Sequence, residues 1–182
     1  MKKDRKNIIL QSLASMLEER NLSKITTASL AEKSKITEAA LYRHFPSKRS
    51  IYAELFSFCD DSIFSKCNEI KKSKLSSKDK VKNAFMFFML FIEKNKGFAR
   101  LLSREALSSD EQNVSDSVNQ FYERFELVLR QILKEDDSNL RTQPGISAQL
   151  IITTLEGNIG RYIRSKFKDS PSNYIENVWD LL

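Results

Sequence analysis

The stretch Thr37-Glu38-Ala39-Ala40-Leu41-Tyr42-Arg43-His44-Phe45-Pro46-Ser47-Lys48 decides how this chain is read. Thr37 followed by Glu38 marks a helix start. A threonine hydroxyl can cap free backbone N–H groups, and an acid suits the positive end of a helix. His44-Phe45-Pro46 marks a stop, because the residue before a proline avoids the helical region. Between them lies one short helix, about Glu38–Arg43, with Leu41 as its inward anchor. Ala39 and Ala40 would let the backbone approach a groove, and their methyls can touch a thymine methyl. Thr37 can donate to a phosphate or a base edge, and Tyr42, Arg43 and His44 offer donors to phosphates. Ser47 caps the next helix, where Lys48 and free N–H groups favour a phosphate.

Upstream, Thr26 or Thr27 caps a short helix, Ala28–Lys33, with Leu30 and Ala31 inward, and Ser34-Lys35-Ile36 makes a tight connection. Before it, about Asp4–Arg20, Ile9, Leu13, Met16 and Leu17 form the apolar stripe of a longer helix. One longer helix followed by two short ones on a three-residue turn is the helix-turn-helix pattern. Such pairs also occur as plain structure in all-α proteins, and His44 alone reads equally as a packing or capping histidine.

Charge points the same way. The 182 residues carry 30 Lys+Arg against 24 Asp+Glu, a net +6. Residues 1–50 hold 11 of the basic residues and 5 of the acidic ones, so the whole excess lies in the first quarter. A basic module on a neutral body suits a polyanion, or is a solvated surface. Four Gly and three Pro are too few for the turns of a hairpin-rich fold. The chain reads as all-α.

The body continues with helices at about Lys48–Ile70 (Ile51, Leu55, Phe58, Ser62 and Ile63 at helical spacing), Lys80–Lys94 and Phe98–Leu107. A long helix follows to about Lys134, with Val114, Val118, Phe121, Phe125, Val128 and Ile132 inward. After a loop at Glu135–Gly145 comes Ile146–Phe167, with Leu150, Ile151, Leu155, Ile159 and Ile163 inward. Pro171 opens a last helix to Leu182. That makes about nine helices. The run Ala84–Ile92 falls far short of the roughly 20 residues that span a bilayer, and reads as a helix buried on nearly every side.

Cys59 and Cys67 sit too far apart on one helix to bond, and neither lies in a CxxC or Cys/His cluster, so no metal site is expected and a reducing cytoplasm fits. The first twenty residues lack the apolar region and cleavage site of a signal peptide. With one histidine, and no Gly-rich phosphate loop or nucleophile motif, no catalytic residues are expected and the chain reads as a non-enzyme without a cofactor. Gly157 and Gly160 lie inside a strong helix, where each costs about 1 kcal/mol relative to alanine. Close helix packing would offset that. A homodimer interface including Arg161 and Arg164 is the expected place, and an intrachain crossing is the alternative.

Ile25-Thr26-Thr27-Ala28-Ser29-Leu30-Ala31, followed by Thr37 through Lys48, resembles the TetR-family DNA-binding domain. The resemblance implies an all-α dimer with a three-helix DNA head, residues 1–48, and a larger dimerisation domain, residues 49–182. Palindromic duplex DNA would be met by Thr26, Thr27, Thr37, Ala39, Ala40, Tyr42, Arg43, His44 and Lys48. Arg100–Leu107, Asn119–Leu133 and Arg161–Lys168, with Pro171 and Trp179, are similar to the SlmA-type nucleoid occlusion factors of that family. That likeness implies a cytoplasmic, nucleoid-associated protein that spreads along DNA as dimers, engages the tail of the division GTPase FtsZ, and antagonises division rings. The tail groove is implied at Phe58, Lys66, Phe87, Leu90, Lys94 and Asn95, with ordinary core as the other reading of Phe58, Phe87 and Leu90. This sequence has Lys35 where those proteins place glycine in the turn, lysines at 66 and 94 where they have arginine, and Leu90 and Ile92 in place of glycines. The alternative function is a TetR-family repressor whose Phe/Met-rich run 85–91 lines a pocket for a small apolar ligand that releases DNA.

Overall fold

The computed structural model describes residues 2–19, 22–136, 142–174 and 179. Eight α-helices and no strand are found among them. They are α1 (Lys2–Glu18), α2 (Thr27–Lys33), α3 (Glu38–His44), α4 (Lys48–Lys71), α5 (Ser77–Lys94), α6 (Lys96–Leu102), α7 (Gln112–Leu133) and α8 (Pro144–Arg164). The helix expected from Pro171 is a 3-10 turn, Pro171–Tyr174, and most of its further course lies outside the described residues.

Capping explains where the observed ends differ from the sequence reading. Helix α5 starts at Ser77 rather than Lys80 because Ser76 Oγ accepts from the Asp79 amide at 3.1 Å and donates to its carboxylate at 2.6 Å. Helix α6 stops at Leu102, and Arg104 then takes a left-handed φ of 62°. Left-handed Lys166 and Phe167 close α8 at Arg164.

The chain divides into two compact units, Met1–Cys59 with Asn95–Val118, and Asp60–Lys94 with Asn119–Leu182. In the first, Ile9, Leu13, Met16 and Leu17 are buried as their spacing requires, together with Leu30, Ala31 and Leu41. Helix α1 meets α6 at Gly97, where an added Cβ would lie 2.6 Å from the Ala14 carbonyl oxygen and 3.0 Å from Leu17 Cβ. Arg100, buried one turn further on, donates from Nη1 to the Glu19 carbonyl and so ties down the chain just past α1.

In the second unit Phe88 stacks on Phe125 and Phe121, with ring centroids 5.3 and 5.7 Å away, and Phe64 meets Phe121 edge-on at 5.5 Å. Arg124 lies 4.0 Å over the Phe64 ring while pairing with Asp60 at 3.3 Å. Lys80 pairs with Glu135 at 2.7 Å.

Three core expectations are corrected. The run 84–92 is amphipathic: Ala84, Phe85, Phe88, Met89 and Ile92 are buried, but Met86, Phe87 and Phe91 are half-buried and Leu90 is exposed. Leu150 is 47% exposed, and Ile151 and Ile152 take the inward positions. Val128 is half-buried and Leu129 fills the core beside it. Each miss comes from a helix with more apolar residues than one buried face can accept. No described helix is long and apolar enough to cross a membrane.

Gly97→Ala is expected to destabilise the protein by about 1–3 kcal/mol, because a methyl group there must push two helices apart. Urea unfolding checks this, and an unchanged midpoint would remove the close crossing from the account.

Candidate nucleic-acid interface

Both short helices of the head carry the caps their sequence calls for. Thr26 is extended at φ −113°, its Oγ1 accepts from Ser29 N at 3.1 Å, and its own amide donates to Ser29 Oγ at 2.9 Å. Thr37 Oγ1 accepts from Ala40 N at 3.2 Å. That contact uses a lone pair and leaves the hydroxyl hydrogen free to donate outward. Between the helices, Lys35 sits at φ 54° and Ile36 N reaches back to Ala31 O at 3.0 Å. The turn is thus left-handed with a lysine in it.

Leu41 is fully buried, which turns Ala39, Tyr42 and Arg43 to solvent and leaves Ala40 and His44 half-buried. One residue on this face was missed by the sequence reading. Glu38 stands exposed at the first position of α3, and its carboxylate accepts from Thr27 Oγ1. Tyr42 OH approaches the same Thr27 oxygen at 3.5 Å. Two of the expected DNA donors therefore share a network with an acid, and the Thr-Glu pair quoted for capping was the available signal.

Ser47 caps α4 reciprocally with Ser50, at 3.1 and 3.2 Å. Lys48 is not a free surface cation. Its Nζ lies 3.6 Å from Glu111 Oε1 and 5.2 Å from the Tyr52 ring centroid. Burial, reinforced by the Glu111 charge, pushes the Tyr52 phenol above its ordinary range.

The six expected groove residues fall in both units. Phe58, 64% exposed, and Asn95 line an open cleft of about 360 Å³ in the first unit, with Leu10, Leu55 and Phe98. In the second unit Phe87, Leu90 and Lys94 follow one face of α5, with the Phe87 ring 6.1 Å from Phe91. Lys66 is exposed on α4 and pairs with Glu69 at 2.7 Å. Phe58 and Leu90 are not core residues. On α8, a Cβ at Gly157 would meet nothing within 4 Å, so no close intrachain crossing is seen there among the described residues. A Cβ added at Gly160 would lie 3.0 Å from Nη1 of Arg164 on the same helix, and Arg161 pairs with Asp169 at 3.0 Å. Among the described residues no cluster of three His, Cys, Asp or Glu could hold a metal ion. Both cysteines are buried thiols, and burial pushes Cys67 up to about 12.

Residues 9–55 match the family described as bacterial regulatory proteins, tetR family, and residues 77–182 match the SlmA-like tetracyclin repressor-like C-terminal domain. Solved TetR-type structures share the fold. FadR of Bacillus halodurans superposes with a TM-score of 0.80 at 13% identity, covering 97% of this chain and 93% of its own. FadR of Bacillus subtilis, solved with stearoyl-CoA, gives 0.78 at 14%, covering 96% and 95%. The chain belongs to the TetR family of DNA-binding regulators, a non-catalytic fold.

Within that family it is related to the SlmA-like regulators. It is 36% identical over 186 residues to the nucleoid occlusion factor SlmA of Vibrio vulnificus, covering 100% of this chain and 95% of that protein. The SlmA of Vibrio cholerae is 37% identical over 184 residues, covering 98% and 94%.

Lys35→Gly is expected to raise stability by about 1 kcal/mol, since glycine removes the Cβ clash of the left-handed turn. Thr37→Ala should cost about 1 kcal/mol through the lost cap. Thermal unfolding of the two variants checks both signs.

Proposed function

We propose that this protein is a nucleoid occlusion factor: a homodimer that binds specific palindromic DNA in the cytoplasm, at the nucleoid, and while bound antagonises FtsZ ring assembly. The observation that carries this reading is the end-to-end similarity to SlmA proteins, which continues through the C-terminal domain where the solved structures share only the fold. On DNA, Thr37, Ala39 and Ala40 face base edges, and Tyr42, Arg43 and His44 position phosphates. Thr26 and Thr27 flank them at the start of α2, and Lys48 opens the helix that follows.

Two copies join through α8. Ile146, Leu150, Thr153, Gly157, Arg161 and Arg164 recur at helical spacing along its outer side, where two exposed large apolar residues and an open glycine suit a second helix. FtsZ engages Phe58, Lys66, Phe87, Leu90, Lys94 and Asn95, an apolar and basic set suited to a short apolar, acidic peptide. The closely spaced rings of Phe64, Phe88, Phe121 and Phe125 favour this over a repressor with a ligand-filled body.

The deciding measurement is anisotropy of a labelled FtsZ tail peptide with and without the cognate duplex. Binding should strengthen when DNA is present, and Lys94→Glu should abolish it while DNA affinity holds. A tail that never binds the wild-type protein sinks the division reading. Leu150→Glu should convert the dimer to a monomer in light scattering, and a dimer that survives would move the interface elsewhere.

A further inference from the structure

We propose that Glu93 is a positioning residue for partner binding: it fastens the segment that follows α8 to the last turn of α5, and so fixes the face from which Phe87, Leu90 and Lys94 meet the FtsZ tail. This rests on the division reading given above.

Glu93 stands where a helix disfavours an acid. It is the penultimate residue of α5, at the negative end of the helix, where backbone carbonyls lack partners within it. Two contacts from the C-terminal segment of the same compact unit offset this. Its backbone carbonyl accepts from Tyr162 OH, on α8, at 3.3 Å. Its carboxylate Oε1 accepts from the Ser172 amide, in the 3-10 turn Pro171–Tyr174, at 2.8 Å. Between these two donors the chain reverses sharply. Lys166 and Phe167 are both left-handed, at φ 59° and 60°, which costs energy in residues with a Cβ. Their amides donate to the Ile163 and Tyr162 carbonyls, at 2.8 Å each, and the Phe167 ring meets Tyr162 edge-on at 5.0 Å. Asp169 pairs with Arg161, and its amide donates to Ser165 Oγ at 2.9 Å. A strained reversal of this kind persists only where its surroundings hold it. Here it is closed on Tyr162 at one end and on Glu93 at the other. Helix ends fray unless they are tied. The turn tied here carries Lys94 as the next residue and Leu90 three residues before, both exposed. Fraying would separate that cation from its apolar neighbours, and a tail that needs both would find fewer molecules ready to bind it.

A positioning role predicts a loss of tail binding that a general loss of stability would not single out. Anisotropy of the labelled tail peptide with cognate duplex present is measured for wild type, Glu93→Ala, Glu93→Gln and Tyr162→Phe, with duplex affinity and thermal unfolding alongside. Glu93→Ala should weaken tail binding about tenfold and leave duplex affinity within about twofold of wild type. Glu93→Gln keeps a carbonyl oxygen for the Ser172 amide and should bind the tail as tightly as wild type. Tyr162→Phe removes only the hydroxyl and should weaken tail binding about threefold. Wild-type tail affinity in Glu93→Ala overturns the proposal. So does a Glu93→Gln as weak as Glu93→Ala, which would assign the effect to charge, or a parallel loss of tail and duplex affinity, which would assign it to stability. A wild-type protein that binds the duplex but no tail overturns the division reading itself, and is told apart from these results by the wild-type titration alone.

Discussion

The head of this protein depends on how closely α1 lies against α6. Gly97 permits backbone contact with Ala14, and buried Arg100 takes up the Glu19 carbonyl left open past the end of α1. With α1 fixed, its buried stripe of Ile9, Leu13, Met16 and Leu17 provides the surface on which the two short helices rest. Helices of seven residues have little stability of their own. Their persistence comes from Leu30, Ala31 and Leu41 being fully packed, and from threonine caps that take up the amides each start leaves free. The orientation of the exposed side chains of α3 is thus set several contacts away from them.

Much of this was legible in the sequence because it is local. Caps at Thr26, Thr37 and Ser47, the stop at Phe45-Pro46 and the period of α1 are all decided within four or five residues, and they reappear in the structure. The turn at Lys35 was legible by a different route: a lysine where relatives carry glycine, now seen at φ 54°. Helix ends decided by strained single residues, such as Arg104 and Lys166, left no pattern to read. The composition of α5 and α8 misled, since both hold more apolar residues than one face can bury. The surplus, Leu90 on one and Ile146 and Leu150 on the other, marks surface rather than core.

Side-chain partnerships at long range were not legible at all. Lys48 reads as a phosphate ligand from its neighbours alone, and nothing near it announces Glu111. Glu38 reads as a helix-start acid, which it is, but its hold on Thr27 places it on the face meant for DNA. An acid there opposes phosphate approach at that end of α3.

These pairings change what the basic count of the head means. Lys6, Lys33 and Lys48 each face an internal acid, at 3.9, 2.6 and 3.6 Å, and two of those acids, Glu54 and Glu111, lie outside the first fifty residues. A formal excess counted along the sequence therefore overstates the charge free to meet a polyanion. What is left includes Arg5, Lys24, Lys35, Arg43 and Arg49, exposed and without an ion pair among the described residues. Counterion release scales with the phosphates actually neutralised, not with net charge. The formal excess of the first fifty residues is thus an upper bound on the charge open to a polyanion, because part of it is taken up in ion pairs within the chain.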